Sequence, residues 1–378
     1  MASVAKRPNG KWRARYRGPD GRERARHFDR KIDAERWLNS VEHAKNRGEW
    51  IDPARAQVTV GAWCDRWLDT QVQLKPTTRV RYEGLVARHV KPTWGRVPLA
   101  KVAPADVDAW LGALLRSGLS AASVRYAHRV LSLALALAER DGRIARNPAD
   151  GVKLPRAAAR PKRYLTHDEV ARLAEECGPH RTLVFVLAYT GLRWGEAVAL
   201  QVGDVDLMRR RIAVQRAMAE VRGQAVVGTP KDHERRDVPV PAFLVDELAQ
   251  HVAGRSPSDL VFPGTRGGFL RNGNFRRDVF DAAAERAGLV GVTPHGLRHT
   301  AASLAIAAGA SVVAVQKMLG HSSPSVTLDV YSHLFPDDLD TVAERMHEAK
   351  IISDADQMRT ERRVVAFPTS EAGDRHVV

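Results

Sequence analysis

The sequence predicts a mainly α-helical, multidomain chain with small β-sheets (α+β), and three observations carry that prediction. The chain has 378 residues, of which 44% are hydrophobic. That is more than the ~100–200 residues of one domain and enough apolar surface for real cores. Helical apolar spacing dominates after residue 57. Two-residue alternation is confined to short stretches near 10–28 and 211–240. The expected order is a small sheet plus helix over 1–56, an all-helical domain over 57–155, a mixed α/β domain over 162–350, and a tail over 351–378.

Each element has a local reason. In residues 10–28, Trp12, Ala14 and Tyr16 alternate with Lys11, Arg13, Arg15 and Arg17, the period of a strand with one basic face. Gly18-Pro19-Asp20-Gly21 is a turn signal, and a second strand with Arg22 and Arg24 runs to about Phe28. Asp33–Lys45 is spaced as a helix through Ala34, Trp37, Leu38 and Val41. Interleaved aromatics and cations suit a sheet laid on DNA, or the aromatics are simply the core of a small sheet. Helices are expected over Val60–Gln71, from Lys75-Pro76, over Pro104–Arg116 and over Ser120–Arg140. Asp141-Gly142 stops the last of these, and Arg156–Pro161 reads as an exposed linker. Thr166 with Glu169 forms a capping-box pattern, and Leu183–Tyr189 is buried by composition. Strands are expected at Arg211–Ala217, Gln224–Val227 and Arg236–Val240, and helices from there to about Lys350.

Charge narrows the function classes. The net charge is +15, and it is not evenly spread. Residues 1–56 carry +7 and residues 57–160 carry +9, whereas 161–350 balance and the tail is at −1. A polyanion partner is expected, with non-specific DNA affinity residing in the first 160 residues through counterion release. The two cysteines, Cys64 and Cys177, form no CxxC pattern, which disfavours a disulfide framework and suits a reducing cytoplasm. Met1–Lys11 is basic without an apolar h-region, so no secretory signal is expected. The longest apolar runs fall well short of the ~20 residues that span a bilayer, so no membrane partner is expected.

Four segments could carry chemistry. In Thr190-Gly191-Leu192-Arg193-Trp194-Gly195-Glu196, the forked donors of Arg193 match phosphate oxygens and Glu196 is placed to hold it. In Thr229–Arg236, Lys231 lies between two strands, where a lysine is ordinarily solvated unless its hairpin closes over a cleft. In His295-Gly296-Leu297-Arg298-His299-Thr300, His295 and Arg298 share a helix face, and His299 lies at zinc-ligand spacing from His295. Metalloprotease chemistry needs Glu after the first His, and position 296 is Gly. The fourth segment is Leu319-Gly320-His321-Ser322-Ser323, followed by Tyr331-Ser332-His333. Singly, each residue has a bland structural explanation. Together, cations, imidazoles and a phenol suit phosphoryl transfer, which needs positive charge, a nucleophile and an acid for the leaving oxygen.

The order TGLRWGE, PK, HGLRHT, LGHSS and VYSH resembles the phage integrase branch of the tyrosine recombinases over residues ~165–350. Residues 57–150 are similar to that family's helical core-binding domain, and residues 1–50 to its arm-site-binding domain, a three-stranded sheet plus helix. The resemblance implies a site-specific DNA recombinase that integrates mobile DNA and takes part in its excision. It would act through a 3′-phosphotyrosyl intermediate and a Holliday junction. Tyr331 would be the nucleophile, Arg193 and Arg298 the phosphate clamps, and Lys231 the acid for the 5′ oxygen. His295 would be the base toward Tyr331, His321 a phosphate ligand and Glu196 a support for the arginines. Where the family often has a small hydroxyl residue after the lysine, Asp232 stands here, and Arg235 and Arg236 become DNA-contact candidates. Neither metal nor ATP is expected to be required. The implied partners are double-stranded DNA at core and arm sites, a homotetramer on that DNA, a host DNA-bending protein and an excisionase, in a bacterial host's cytoplasm. A segment after Tyr331, Asp337–Lys350 and beyond, donated to a neighbouring protomer as a strand or helix, is a further expectation. Three rival readings are a type IB topoisomerase, a non-catalytic DNA-binding regulator on the same fold, and a zinc hydrolase using His295, His299 and His321.

Overall fold

The computed structural model describes residues 2–47, 50–156, 163–230, 235–335, 343–344 and 346–355. The chain divides into two compact units, Met1–Pro161 with Met218–Val227, and Lys162–Ala217 with Gly228–Val378.

The first unit opens with an antiparallel sheet of β1 (Ser3–Lys6), β2 (Trp12–Arg17) and β3 (Glu23–Phe28), in that spatial order. Helix α1 (Lys31–Asn46) packs against it. Alternation along β2 buries Ala14 and Tyr16 while Arg15 and Arg17 are exposed. Tyr16 meets Trp37 edge-on at 5.6 Å, and Phe28 meets Trp37 at 5.6 Å. The aromatics of this sheet are therefore its core, and its opposite face is basic.

An all-helical part follows: α2 (Val60–Thr70), α3 (Pro76–Leu85), α4 (Lys91–Trp94), α5 (Pro104–Arg116) and α6 (Ala121–Arg140). Thr59 and Ser120 cap α2 and α6 with their side-chain oxygens. Trp63, Trp67, Trp94 and Trp110 fill one core with Val124, Ala127, Leu131, Leu135 and Ala138, the face of α6 that its periodicity predicts. A π-helical turn, Val86–Val90, joins α3 to α4 ahead of Pro92. Proline has no N–H and crowds the carbonyl one turn back, and a widened turn relieves both.

The second unit begins with α7 (His167–Glu176), whose Thr166–Glu169 capping box forms as the sequence predicts. Next come α8 (Arg181–Thr190), buried along nearly its whole length, and the short α9 (Trp194–Ala197). Strands β4 (Val205–Asp206) and β5 (Arg211–Val214) follow. The predicted strand Arg211–Ala217 breaks at Gln215-Arg216, because Arg216 turns inward to bond Gln201 and Asp204. A hairpin of β6 (Ala217–Val221) and β7 (Gln224–Gly228) then turns at Arg222-Gly223, both at positive φ. Its residues Met218–Val227 group with the first compact unit. Strand β8 (Arg236–Pro239) completes an antiparallel sheet in the order β4-β5-β8, with Arg236 opposite Val214.

Helices α10 (Phe243–Val252), α11 (Asn272–Phe275), α12 (Asp281–Arg286), α13 (Pro294–Ala307), α14 (Val312–Leu319) and α15 (Pro324–Tyr331) follow. Helix α13 packs along α8 through buried Leu297, Ala301 and Ala302. Residues 346–355 are helical, so the tail expected from 351 starts inside a helix. Among the described residues no helix is long and apolar enough to cross a membrane.

Candidate active site

Two helix ends build the cation cluster. Helix α8 stops at Gly191 (φ 65°) and α14 stops at Gly320 (φ 63°), both in the left-handed region that glycine enters without a Cβ penalty. A Cβ on Gly191 would lie 2.6 Å from Leu319 Cδ2, so the two helix ends also need its small size. Helix C-termini leave carbonyls without intrahelical donors and carry partial negative charge. The arginines meet that need. Arg298 donates to Gly191 O at 2.5 Å and to Leu319 O at 2.6 Å, and Arg193 donates to Gly320 O at 2.9 Å.

Glu196 locks this arrangement. Its carboxylate accepts from the Arg193 backbone N–H (2.9 Å) and Arg193 Nη1 (2.9 Å). It also accepts both guanidinium nitrogens of Arg236, at 3.0 and 2.7 Å. Burial acts to raise this carboxyl, but the hydrogen bonds and charges of Arg236 and Arg193 outweigh it and hold it below the ordinary value. Arg298 is almost fully buried, and burial followed by repulsion from Arg193 brings its pKa down to about 10, still cationic at neutral pH.

The phenol lies beside these cations. Tyr331 ends α15, is 1% exposed, and packs with Ala302, Ile306, Val315 and Leu319. Burial pushes its pKa up to about 12, against the opposing pull of Arg298. His299 Nδ1 is 2.7 Å from Tyr331 Oη. The His321 ring is nearly parallel to the phenol ring (9°), with centroids 6.5 Å apart, and its Nδ1 bonds Thr327 Oγ1 at 2.9 Å. His295 stands edge-on to His299 at 5.1 Å.

The fold thus brings Arg193, Glu196, Arg298, His321 and Tyr331 together, as the sequence predicts. Three assignments change, and one cannot be placed. The imidazole on the Tyr331 hydroxyl is His299, whereas the sequence reading assigns that place to His295. His299 lies one helical turn after His295, and the only signal it gave in the sequence was zinc spacing. Arg236, a DNA-contact candidate in the sequence, is here a buried partner of Glu196, its side chain 9% exposed. Arg24 is also diverted: Asp20 holds it at 2.8 Å and Asp52 at 2.9 Å, and it covers Trp50 at 4.8 Å. The Arg24 hydrogen bond in turn lowers Asp20 to about 2. Lys231 lies outside the described residues, between β7 and β8 in the chain order.

Arg13, Arg15 and Arg17 share the face of the first sheet opposite the aromatics, with Glu23 beside Arg13 and Arg15. Lys11, Arg22 and Arg235 are exposed, and Lys11 pairs with Asp29 at 3.4 Å. Among the described residues no cluster of three or more His, Cys, Asp or Glu could hold a metal.

Known proteins give the same reading. Residues 163–337 match the phage integrase family, residues 2–47 the phage integrase N-terminal domain, and residues 59–115 the phage integrase N-terminal SAM-like domain. The putative prophage phiRv2 integrase of Mycobacterium tuberculosis is 31% identical over 345 residues, covering 86% of this chain and 89% of the relative. The integrase of Mycobacterium phage D29 is 29% identical over 330 residues, covering 83% of this chain and 85% of the relative. The fold is shared with the Tn1549 transposon integrase in complex with a circular intermediate DNA (TM-score 0.68, 23% identity, 76% of this chain and 99% of that one). It is also shared with a lambda integrase tetramer bound to a Holliday junction (TM-score 0.56, 22% identity, 88% and 95%). A buried phenol among arginines and imidazoles, three matching domain models and a relative along most of the chain agree: this protein belongs to the phage integrase family of site-specific tyrosine recombinases.

Proposed function

We propose that this integrase cuts DNA by attack of Tyr331 Oη on the scissile phosphate, forming a 3′-phosphotyrosyl link and releasing a 5′-hydroxyl. The observation that carries the proposal is Tyr331 buried beside Arg298, with imidazoles at its hydroxyl and along its ring. Arg193 and Arg298 clamp the non-bridging oxygens, since forked donors fit them and a water-poor site strengthens the attraction. Lys231 gives a proton to the departing 5′ oxygen, and His295 and His321 act at the phosphate. Rejoining reverses the step, and the phosphotyrosyl bond keeps the phosphodiester energy, so ATP is not needed. Guanidiniums take the charge-stabilising role that a metal takes elsewhere.

Four copies act on two duplexes, exchanging strands through a Holliday junction. The lambda integrase whose fold this chain shares forms such a tetramer on a Holliday junction, and the matches to phage integrase domains along the chain support the reading. The Arg13, Arg15 and Arg17 face of the first sheet holds arm-type duplex, since a β-ribbon fits the major groove. A host bending protein and an excision partner would bring arm and core sites to one protomer.

The test is a suicide duplex nicked next to the cleavage position. Wild-type protein should accumulate a covalent adduct, and Tyr331→Phe should bind the duplex without forming one. An adduct that survives Tyr331→Phe removes the assignment.

A further inference from the structure

Deprotonation of the nucleophile needs its own account. A phenol with its pKa pushed up to about 12 is protonated at neutral pH, and at 1% exposure bulk water has little access to it. The proton must therefore go to a protein group at hydrogen-bond distance. The hydrogen bond between Oη and His299 Nδ1, at 2.7 Å, supplies one.

We infer that His299, rather than His295, is the catalytic base that accepts the Tyr331 proton. This rests on the Tyr331 assignment above and extends it. The step balances as follows. The Oη–H bond breaks and its proton moves to His299 Nδ1, giving an imidazolium. The freed electron pair forms the Oη–phosphorus bond as the bond from phosphorus to the 5′ oxygen breaks, and that oxygen takes its proton from Lys231. On rejoining, a 5′-hydroxyl attacks phosphorus and the imidazolium returns its proton to Oη.

The surroundings favour this direction of transfer. Arg298, one residue along α13, lowers the cost of the phenolate. His295, one turn back on the same helix, packs edge-on at 5.1 Å and holds the His299 ring. From the loop before α15, His321 lies along the phenol ring with its Nδ1 on Thr327. From the segment before α7 comes Tyr164, whose hydroxyl bonds His333 Nε2 at 3.2 Å and whose charge acts against the phenolate. Arg193, Glu196 and Arg236 act through Arg298. A guanidinium cannot accept the proton and a phenol is a weak base, whereas a neutral imidazole has an ordinary pKa near ~6.5 and can.

The test is the pH dependence of single-turnover cleavage of the suicide duplex by the full chain. Wild-type cleavage should rise with pH through an imidazole-like limb and then level. His299→Gln keeps a side chain that can hydrogen-bond the phenol but removes the base. It should bind duplex normally, lose the limb and cleave roughly 10²–10⁴-fold more slowly. His299→Ala should regain rate when imidazole is added. A second measurement leaves His299 in place: 3-fluorotyrosine at position 331 acidifies the phenol, and the limb should stay where it was. Either a folded His299→Gln with the wild-type limb and rate, or a limb that moves with the fluorinated phenol, overturns the inference. The parallel Tyr331→Phe arm separates the two readings. Loss of the adduct there, with an unchanged His299→Gln, discards the base and keeps the nucleophile.

Discussion

Replacing Glu196 by glutamine should do far more damage than loss of one hydrogen-bonding oxygen. The carboxylate is 2% exposed and takes one backbone and three guanidinium hydrogen bonds, the latter from Arg193 and Arg236. Glutamine keeps the shape, but it removes the charge and turns an NH₂ group toward guanidinium donors. Arg236 is then a nearly buried cation without its counter-charge, close to Arg193 and Arg298. Breaking a buried pair from one side costs about 3–5 kcal/mol, a large part of the ~5–15 kcal/mol that holds a typical domain together. The assay is urea unfolding followed by ¹⁹F spectra of 5-fluorotryptophan, because Trp194 is the only tryptophan after residue 161 and stacks on Phe275 at 5.1 Å within this unit. The pH dependence adds a sign. The Glu196 carboxyl sits below its ordinary value, so its contribution is fully present above ~4.3 and fades as pH falls through the folded-state value. Glu196→Gln should lack that acid-side loss. The double variant with Arg236→Gln should recover part of the stability, since the stranded charge is gone. A loss under about 1 kcal/mol in the single variant, well short of that one-sided cost, would refute the reasoning.

Other outcomes follow from the same geometry. Gly191→Ala should destabilise the second unit by about 1–2 kcal/mol for the left-handed backbone, plus about 1–3 kcal/mol for crowding Leu319, read as a shift of the same urea transition. Adduct formation by the wild-type chain should proceed undiminished in EDTA, and a requirement for added divalent ion would contradict charge handling by arginine. Arg15→Ala and Arg17→Ala should each lower the salt dependence of arm-duplex binding by ~1 in the log–log slope. Arg24→Ala should leave that slope alone and loosen the small domain instead, as measured by amide exchange around Trp50.

Much of this was legible in the residues, and the parts that were not share a cause. Caps and periodicity are local, so Thr166, Ser120 and the apolar face of α6 could be read directly. The Arg193, Arg298, His321 and Tyr331 set was legible because the motifs TGLRWGE, HGLRHT, LGHSS and VYSH, in that order, resemble those of the tyrosine recombinases. Partner choice is not local. Arg24 and Arg236 look like any exposed cation in sequence, and only folding brings Asp52 and Glu196 to them. His299 was hidden for a related reason. His295 and His299 sit one turn apart, and which imidazole reaches the phenol depends on where α15 returns, 32 residues later.

The way the arginines are held explains why the pocket can receive a phosphate at all. A guanidinium fixed by carboxylates has spent its charge, as Arg236 has on Glu196. Arg298 is fixed by two carbonyls, and Arg193 by one carbonyl and a shared carboxylate. Carbonyl dipoles orient a cation without cancelling it. Three guanidiniums against one carboxylate leave a net positive cluster beside the phenol. Burial first, and then repulsion from Arg193 and Arg236, depresses Arg298, and a bound phosphodiester would relieve that repulsion. The relief grows as negative charge builds on the phosphoryl oxygens, so the cluster favours the transition state over the ground state. Glu196 therefore has two opposed duties. It must neutralise enough charge for the unit to fold and leave enough for the phosphate, and one carboxylate shared between two arginines leaves twice the surplus charge that a second carboxylate would.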